Sequence, residues 1–122
     1  MSKENKYETI EEFWPFYLSE HQNPTNRNLH FIGSTLGLFW LGKAIQKKKP
    51  SYIALGLLSG YGCAWIGHFL VEKNKPASFK HPFLSFAGDW LMLATKVSGK
   101  LNDELAKEDV LKLIEERKLL KK

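Results

Sequence analysis

Hydrophobic residues along this chain gather into blocks, separated by short polar stretches rich in lysine and proline. The longest block, SYIALGLLSGYGCAWIGHFLV over residues 51–71, runs for 21 residues without Asp, Glu, Lys or Arg. At about 1.5 Å per residue it reaches roughly 31 Å as a helix, the thickness of a bilayer's hydrocarbon layer. A helix in a soluble core is seldom apolar on every side for so long, so the block predicts a membrane-spanning helix. The competing reading is a wholly buried core helix. A second helix is predicted over 25–46, largely apolar from Leu29 to Leu41. The four residues KKKP at 47–50 form a tight connection between the two, because Pro50 disfavours a helical Lys49.

The flanks read differently. Thr9 with Glu12 matches a capping box, and the apolar residues Ile10 to Leu18 that follow predict a short helix over 10–20. Pro15 either kinks that helix or marks its true first turn. Its four aromatics suit the membrane interface. Asn23-Pro24 is a turn signal. A polar loop over 72–82, with Pro76 and Pro82, leads to Phe83–Thr95, which is too short to span and carries Asp89, so an interfacial or re-entrant helix is expected. From Asn102 onwards, NDELAKEDVLKLIEERKLLKK predicts one charged amphipathic helix, with Asn102 as N-cap and Lys121 and Lys122 at the end that favours cations. Leu105, Val110, Leu113, Ile114 and Leu120 give it an imperfect apolar face, to pack on the body, lie on a membrane or join a partner. The fold class expected is all-α: a membrane helical bundle built on a transmembrane helical hairpin, with interfacial N- and C-terminal helices. At 122 residues this is one domain's worth of chain, read as a histidine-rich membrane catalytic domain over 1–98 and an amphipathic tail over 99–122.

Composition changes this picture little. The net charge is +5, yet the basic residues do not form a stripe interleaved with aromatics, so nucleic acid is not an expected partner. Lys47, Lys48 and Lys49 sit between the apolar runs, and Arg27, Lys73, Lys75 and Lys80 flank them, as charges do at headgroup level. The single Cys63 excludes an internal disulfide and reads as a small packing residue. The first residues, MSKENKYETIEEFW, contain no apolar stretch of the signal-peptide kind, so insertion through the internal segments is expected.

Candidate chemistry lies with the histidines. Gly33-Ser-Thr-Leu-Gly37 and Gly56-Leu-Leu-Ser-Gly60 are both GxxxG, a spacing that lets helices approach closely. Reflection across the Lys48–Lys49 connection pairs positions summing to about 97, so Gly37 is expected opposite Gly60, Gly33 opposite Ala64, and His30 opposite Gly67 and His68. His21 and His81 lie in the polar flanks of the same end, so all four histidines converge on one side of the membrane. Singly, each is more commonly a cap or a headgroup-level polar residue. Together they form a candidate metal site: zinc suits three or four imidazoles, ferrous iron suits imidazoles and carboxylates with open positions. Glu72, four residues after His68, is either a ligand, an acceptor for an imidazole N–H, or a helix-end carboxylate paired with Lys73 or Lys75. Histidine-box desaturase chemistry needs more histidines than four. The HExxH and GxSxG patterns are absent, and Cys63 lies mid-helix away from the histidines.

Beyond these readings, an ordered series of short motifs resembles a known family. The series is His21 in YLSEH, Asn26-Arg27-Asn-Leu-His30-Phe-Ile-Gly33, Trp65-x-Gly67-His68-Phe69, Glu72-Lys-Asn-Lys-Pro76-Ala77, Phe79-x-His81-Pro82 and Gly88-Asp89-Trp90. It resembles the small integral membrane proteins that include the endoplasmic-reticulum 2-hydroxy fatty acid dioxygenase of fatty-acid alpha-oxidation, over about residues 10–97, the tail lying outside. The resemblance implies an Fe(II) enzyme that uses O2 to shorten a long-chain 2-hydroxy fatty acid by one carbon, in the route that degrades phytosphingosine. It implies histidine ligands carried onto His21, His30, His68 and His81.

A 2-hydroxy acid chelating iron takes two of about six positions and O2 a third, which leaves three for protein. The expected ligands are His30, His68 and His81, with His21 a displaceable fourth ligand or an acid/base group. Arg27, Lys73 and Lys75 are candidates to hold the substrate carboxylate, with Asn26 a further substrate contact. Equally, the three cations are plain membrane-edge charges. Asp89 inside an apolar segment is costly unless paired, so it is expected to be functional, like Glu72, or a partner of a histidine or cation. The expected partners are the long-chain 2-hydroxy fatty acid, O2, membrane lipid and possible further copies of the chain. The membrane is the inner membrane in a bacterium or the endoplasmic reticulum in a eukaryote. Two rival functions are a non-enzymatic membrane scaffold or assembly protein and a zinc-dependent lipid hydrolase.

Overall fold

The structure is a computed structural model that describes residues 7–75 and 80–121. Pro76, Ala77, Ser78 and Phe79 of the expected loop and motifs, the first six residues, Lys122, and the side chains of Arg117, Leu120 and Lys121 lie outside the described residues. Every regular element described is helical: α1 (Ile10–Ser19), α2 (Pro24–Lys47), α3 (Ser51–Ile66) running on into a π-helical turn (Gly67–Glu72), α4 (Pro82–Val97), α5 (Leu101–Leu105) and α6 (Glu108–Lys121). The all-α class and the placing of α1 to α4 agree with the sequence pattern. The chain divides into two compact units, Asn23–Pro76 and Met1–Gln22 with Ala77–Lys122.

In the first unit α2 and α3 form an antiparallel pair. Asn23 caps α2 by accepting the Thr25 amide at 2.8 Å, and Pro24 opens the helix where its missing N–H costs nothing. Lys48 ends it in the left-handed region, φ 56°, and Trp40 stacks on Tyr52 across the connection. The register departs from the expected reflection by one turn. Gly33 lies against Gly60 and Gly37 against Gly56: a Cβ at Gly33 would come within 2.9 Å of the Gly60 carbonyl, and one at Gly56 within 3.3 Å of the Gly37 carbonyl. The expected pairing of Gly37 with Gly60 and Gly33 with Ala64 is therefore corrected. The physical reason is that this register puts all four glycines of the two motifs at the crossing, whereas the reflection matches only one glycine pair. Cys63 packs beside Gly33, as a small residue should.

The outer surface of this pair is apolar. Ile32, Phe39, Ile45, Leu57, Leu58, Ile66 and Leu70 are exposed while Gly33, Gly56 and Ala64 are buried. Thr35 and Ser59 return their hydroxyls to the Phe31 and Leu55 carbonyls, each at 2.8 Å. One described helix, Ser51–Glu72, is long and apolar enough to cross a membrane. α2 is less uniformly apolar, with Asn28, His30, Ser34, Thr35 and Lys43 among its hydrophobic residues.

The second unit is built around α1. Thr9 accepts the Glu12 amide and Glu12 reaches back to the Glu8 amide, closing the predicted cap. Helix α1 begins at Ile10, so Pro15 lies inside it rather than in its first turn. Phe13, Tyr17 and Leu18 are fully buried, with Met92 of α4, Leu101 of α5 and Val110 of α6. Trp14 donates its indole N–H to Glu104 at 2.9 Å. Two expectations about the tail are corrected. Asn102 sits within α5 rather than capping it, Lys100 holding the cap position, and the helix breaks at Ala106–Lys107. Leu101 and Val110 are nine residues apart, which puts them on opposite faces of one straight helix; the break lets both be buried. Of the three roles open to the tail, packing against α1 is the one observed.

Candidate metal centre

Within Asn23–Pro76 the end of the hairpin away from the lysines is held by a carboxylate. Glu72 accepts the Asn23 amide at 2.5 Å and faces the Asn26 side-chain amide at 3.5 Å, with the Arg27 guanidinium within electrostatic reach. It thus ties the start of α2 to the close of the π-helical turn. Its partners are α2 and Arg27, while Lys73 and Lys75 are exposed to solvent. Lys73 takes the left-handed conformation, φ 62°, and turns the chain back so that the Asn74 amide reaches the His68 carbonyl at 2.9 Å.

His30 and His68 meet at this end, both buried, their rings edge to face with centroids 4.9 Å apart. The one-turn register shift does not separate them, because a helical side chain leans back toward its own N-terminus and His30 therefore reaches toward the turn that carries His68. Each imidazole is oriented from behind. The His30 Nδ1 lies 2.9 Å from the Asn26 carbonyl, and the His68 Nδ1 lies 2.7 Å from the Asn74 side-chain oxygen. A carbonyl oxygen can only accept, so His30 carries its proton on Nδ1 and presents Nε2 as the lone-pair nitrogen. The Asn74 oxygen imposes the same tautomer on His68. An imidazole whose other nitrogen donates to an oxygen is the usual arrangement of a metal ligand.

Asn26 completes the wall of this site. It is fully buried, and its Oδ1 has no hydrogen-bond partner among the described residues. A Cβ at Gly67 would collide with this side chain, so glycine at that position is what admits the amide. Two imidazoles of fixed tautomer and an unsatisfied buried oxygen fit a divalent cation of intermediate hardness such as iron or zinc.

In the other unit, His21 repeats the pattern of His30. It is buried, its Nδ1 lies 2.6 Å from the carbonyl of Tyr17 four residues earlier, and its ring stacks on Tyr17 with centroids 4.0 Å apart. Tyr17 in turn donates its hydroxyl to the carboxyl of Asp89 on α4, and Gly88 gives the Tyr17 ring its space. One partner of Asp89 is thus a tyrosine of α1. Burial raises the Asp89 carboxyl to about 7, with the Tyr17 hydrogen bond opposing the rise. Burial, then the neighbouring carboxylate, holds the Tyr17 hydroxyl well above its usual range. His81 stands at the start of α4, its Nε2 accepting the Tyr7 amide at 3.4 Å and its ring between Tyr7 and Phe13.

Sequence reasoning missed Asn74 and Tyr17. Asn74 carries only the weak signal of an asparagine just beyond a helix end. Tyr17 stands four residues before a histidine, a spacing that places both on one helix face.

Comparison with known protein families matches residues 7–101 to the family described as 2-hydroxy-palmitic acid dioxygenase Mpo1-like. No curated protein and no solved structure matches.

Proposed function

The chain belongs to the Mpo1-like family, and from that premise we propose that it is an Fe(II)-dependent dioxygenase that shortens long-chain 2-hydroxy fatty acids by one carbon while embedded in a membrane. The observation that carries this reading is the buried His30–His68 pair, each ring held from behind by an oxygen at Nδ1. The family resemblance also implies ligands at His21, whose Nδ1 is held by the carbonyl four residues earlier as that of His30 is, and at His81, whose Nε2 accepts the Tyr7 amide.

The reaction balances without an external reductant. For R–CH(OH)–COOH plus O2 giving R–COOH, CO2 and water, the C1–C2 bond breaks, C2 becomes the new carboxyl carbon and C1 leaves as CO2. The electrons that reduce O2 all come from C1 and C2 of the substrate. Bound ferrous iron supplies a site that accepts O2 and the chelating 2-hydroxy acid together.

The remaining work falls to this chain's residues. Asn26 and Asn74 fix the imidazole tautomers through their carbonyl oxygens. Arg27 is a candidate to attract the substrate carboxylate, with the Glu72 carboxylate within electrostatic reach favouring its charged form. Lys73 and Lys75, exposed beside it, draw the acid to the site. Asp89, kept protonated up to near neutral pH, is suited to hold or release a proton through Tyr17. The membrane reading is supported by the apolar outer face of α2 and α3 and by the length of Ser51–Glu72. The acyl chain of the substrate is then supplied from the lipid.

The test is anaerobic Fe(II) loading of the purified chain in micelles, followed by air and a 2-hydroxy fatty acid, with mass spectrometry of the acids formed. A product one carbon shorter, formed only with both Fe(II) and O2, is expected. A chain that binds no metal supports the scaffold reading, and product that forms without O2 supports the zinc hydrolase.

A further inference from the structure

Beside His30 and His68, the buried Oδ1 of Asn26 has no hydrogen-bond partner among the described residues. We propose that Asn26 Oδ1 is itself a metal ligand, adding an amide oxygen to the two imidazoles; the inference deepens the function proposed above and rests on it.

Three observations converge. Asn26 is fully buried and its Oδ1 has no hydrogen-bond partner among the described residues. A buried acceptor left unpaired costs about 1–3 kcal/mol, so such atoms are rare in native structures unless an ion or water satisfies them. The orientation of the amide is not arbitrary either. Its nitrogen faces the Glu72 carboxylate at 3.5 Å, and a flipped amide would set two oxygens against each other there. The oxygen is therefore the atom turned away from Glu72. Finally, Asn26 is wedged between the two ligand-bearing segments. Its backbone carbonyl orients His30, and its Oδ1 lies against Gly67, the residue next to His68, where a Cβ would collide with it.

A cation suits this oxygen better than water does. The atom is almost sealed from solvent, and a metal–oxygen bond of about 2.0–2.2 Å needs less room than a water at about 2.7–3.0 Å. A neutral amide oxygen beside two neutral imidazoles also leaves the positive charge of ferrous iron largely uncompensated. That arrangement favours capture of an anionic chelating substrate over a closed, charge-neutral structural site.

The experiment measures Fe(II) affinity under anaerobic conditions for the full chain in micelles, by competition with a coloured chelator. Wild type, Asn26→Ala and Asn26→Asp are compared, with helical circular dichroism and thermal melting recorded for each. Co(II) substitution adds a ligand-field spectrum that reports the donor set independently of turnover. Asn26→Ala is expected to weaken Fe(II) binding at least about 10-fold and to shift the Co(II) bands. Asn26→Asp, which puts a charged oxygen in the same place, is expected to bind at least as tightly as wild type at neutral pH. Equal Fe(II) affinity in wild type and Asn26→Ala overturns the inference while leaving the proposed function standing. Weakening in Asn26→Ala that Asn26→Asp does not recover also overturns it, since the loss then comes from packing against Gly67. If Asn26→Ala does not fold, Asn26→Asp decides alone: affinity below wild type overturns the assignment. A wild-type chain that takes up no Fe(II) overturns the proposed function and this inference together.

Discussion

The rings of His30 and His68 meet edge to face, 4.9 Å apart, although their positions lie one helical turn out of the register that simple reflection across the connection gives. Glycine contacts set the backbone register, and side-chain direction brings the rings together despite it. The site is thus sensitive to changes at two removes, in the crossing that positions the helices and in the oxygens that orient the rings.

At the second of these, Asn74→Ala removes the oxygen that holds the His68 Nδ1. Loss of such a partner is expected to lower metal affinity by about 10–100-fold. His68→Ala is expected to abolish tight binding. Metal content after dialysis against a chelator, with helicity unchanged, checks both.

The crossing is tested at Gly33. A methyl there meets the Gly60 carbonyl and the Cys63 side chain, within 2.9 and 3.1 Å. Gly33→Ala is expected to destabilise the hairpin by about 1–3 kcal/mol through overpacking. Gly42→Ala and Gly62→Ala, where a Cβ meets nothing within 4 Å, serve as controls and are expected to leave stability unchanged or raised. Unfolding in mixed micelles reads the difference.

Gly88 performs the matching task in the other unit, where an added Cβ would lie 2.8 Å from the Tyr17 ring. Gly88→Val is expected to displace that ring and break the Tyr17–Asp89 hydrogen bond. Tyr17→Phe removes the same bond without overpacking and is expected to cost about 1–3 kcal/mol. A melting temperature lower in Gly88→Val than in Tyr17→Phe is the expected order.

Asp89 gives the fold a pH dependence of definite sign. Burial lifts its folded pKa from 3.8 to about 7, so the folded chain keeps a proton that the unfolded chain releases. The contribution of this group to stability is therefore fully present below about pH 4. It is lost progressively as pH rises through about 7. Asp89→Asn is expected to flatten the dependence of melting temperature on pH over that window. A variant with the same slope as wild type would place the titration on another group.

What the sequence determined by itself is the local part of this protein. Block length placed α1 to α4, a Thr–Glu cap and an Asn-Pro turn fixed the starts of α1 and α2, and ordered motifs pointed to the family. Those features depend on neighbours a few residues apart, which the chain states outright. Tertiary structure alone decided the rest: the Gly33–Gly60 register, the π-helical turn that carries His68, the break that buries Leu101 and Val110 together, and the pairing of Asp89 with Tyr17. Each depends on which distant backbones approach most closely and which buried polar atoms must then find partners. Such steric and hydrogen-bonding demands arise only once the helices are packed.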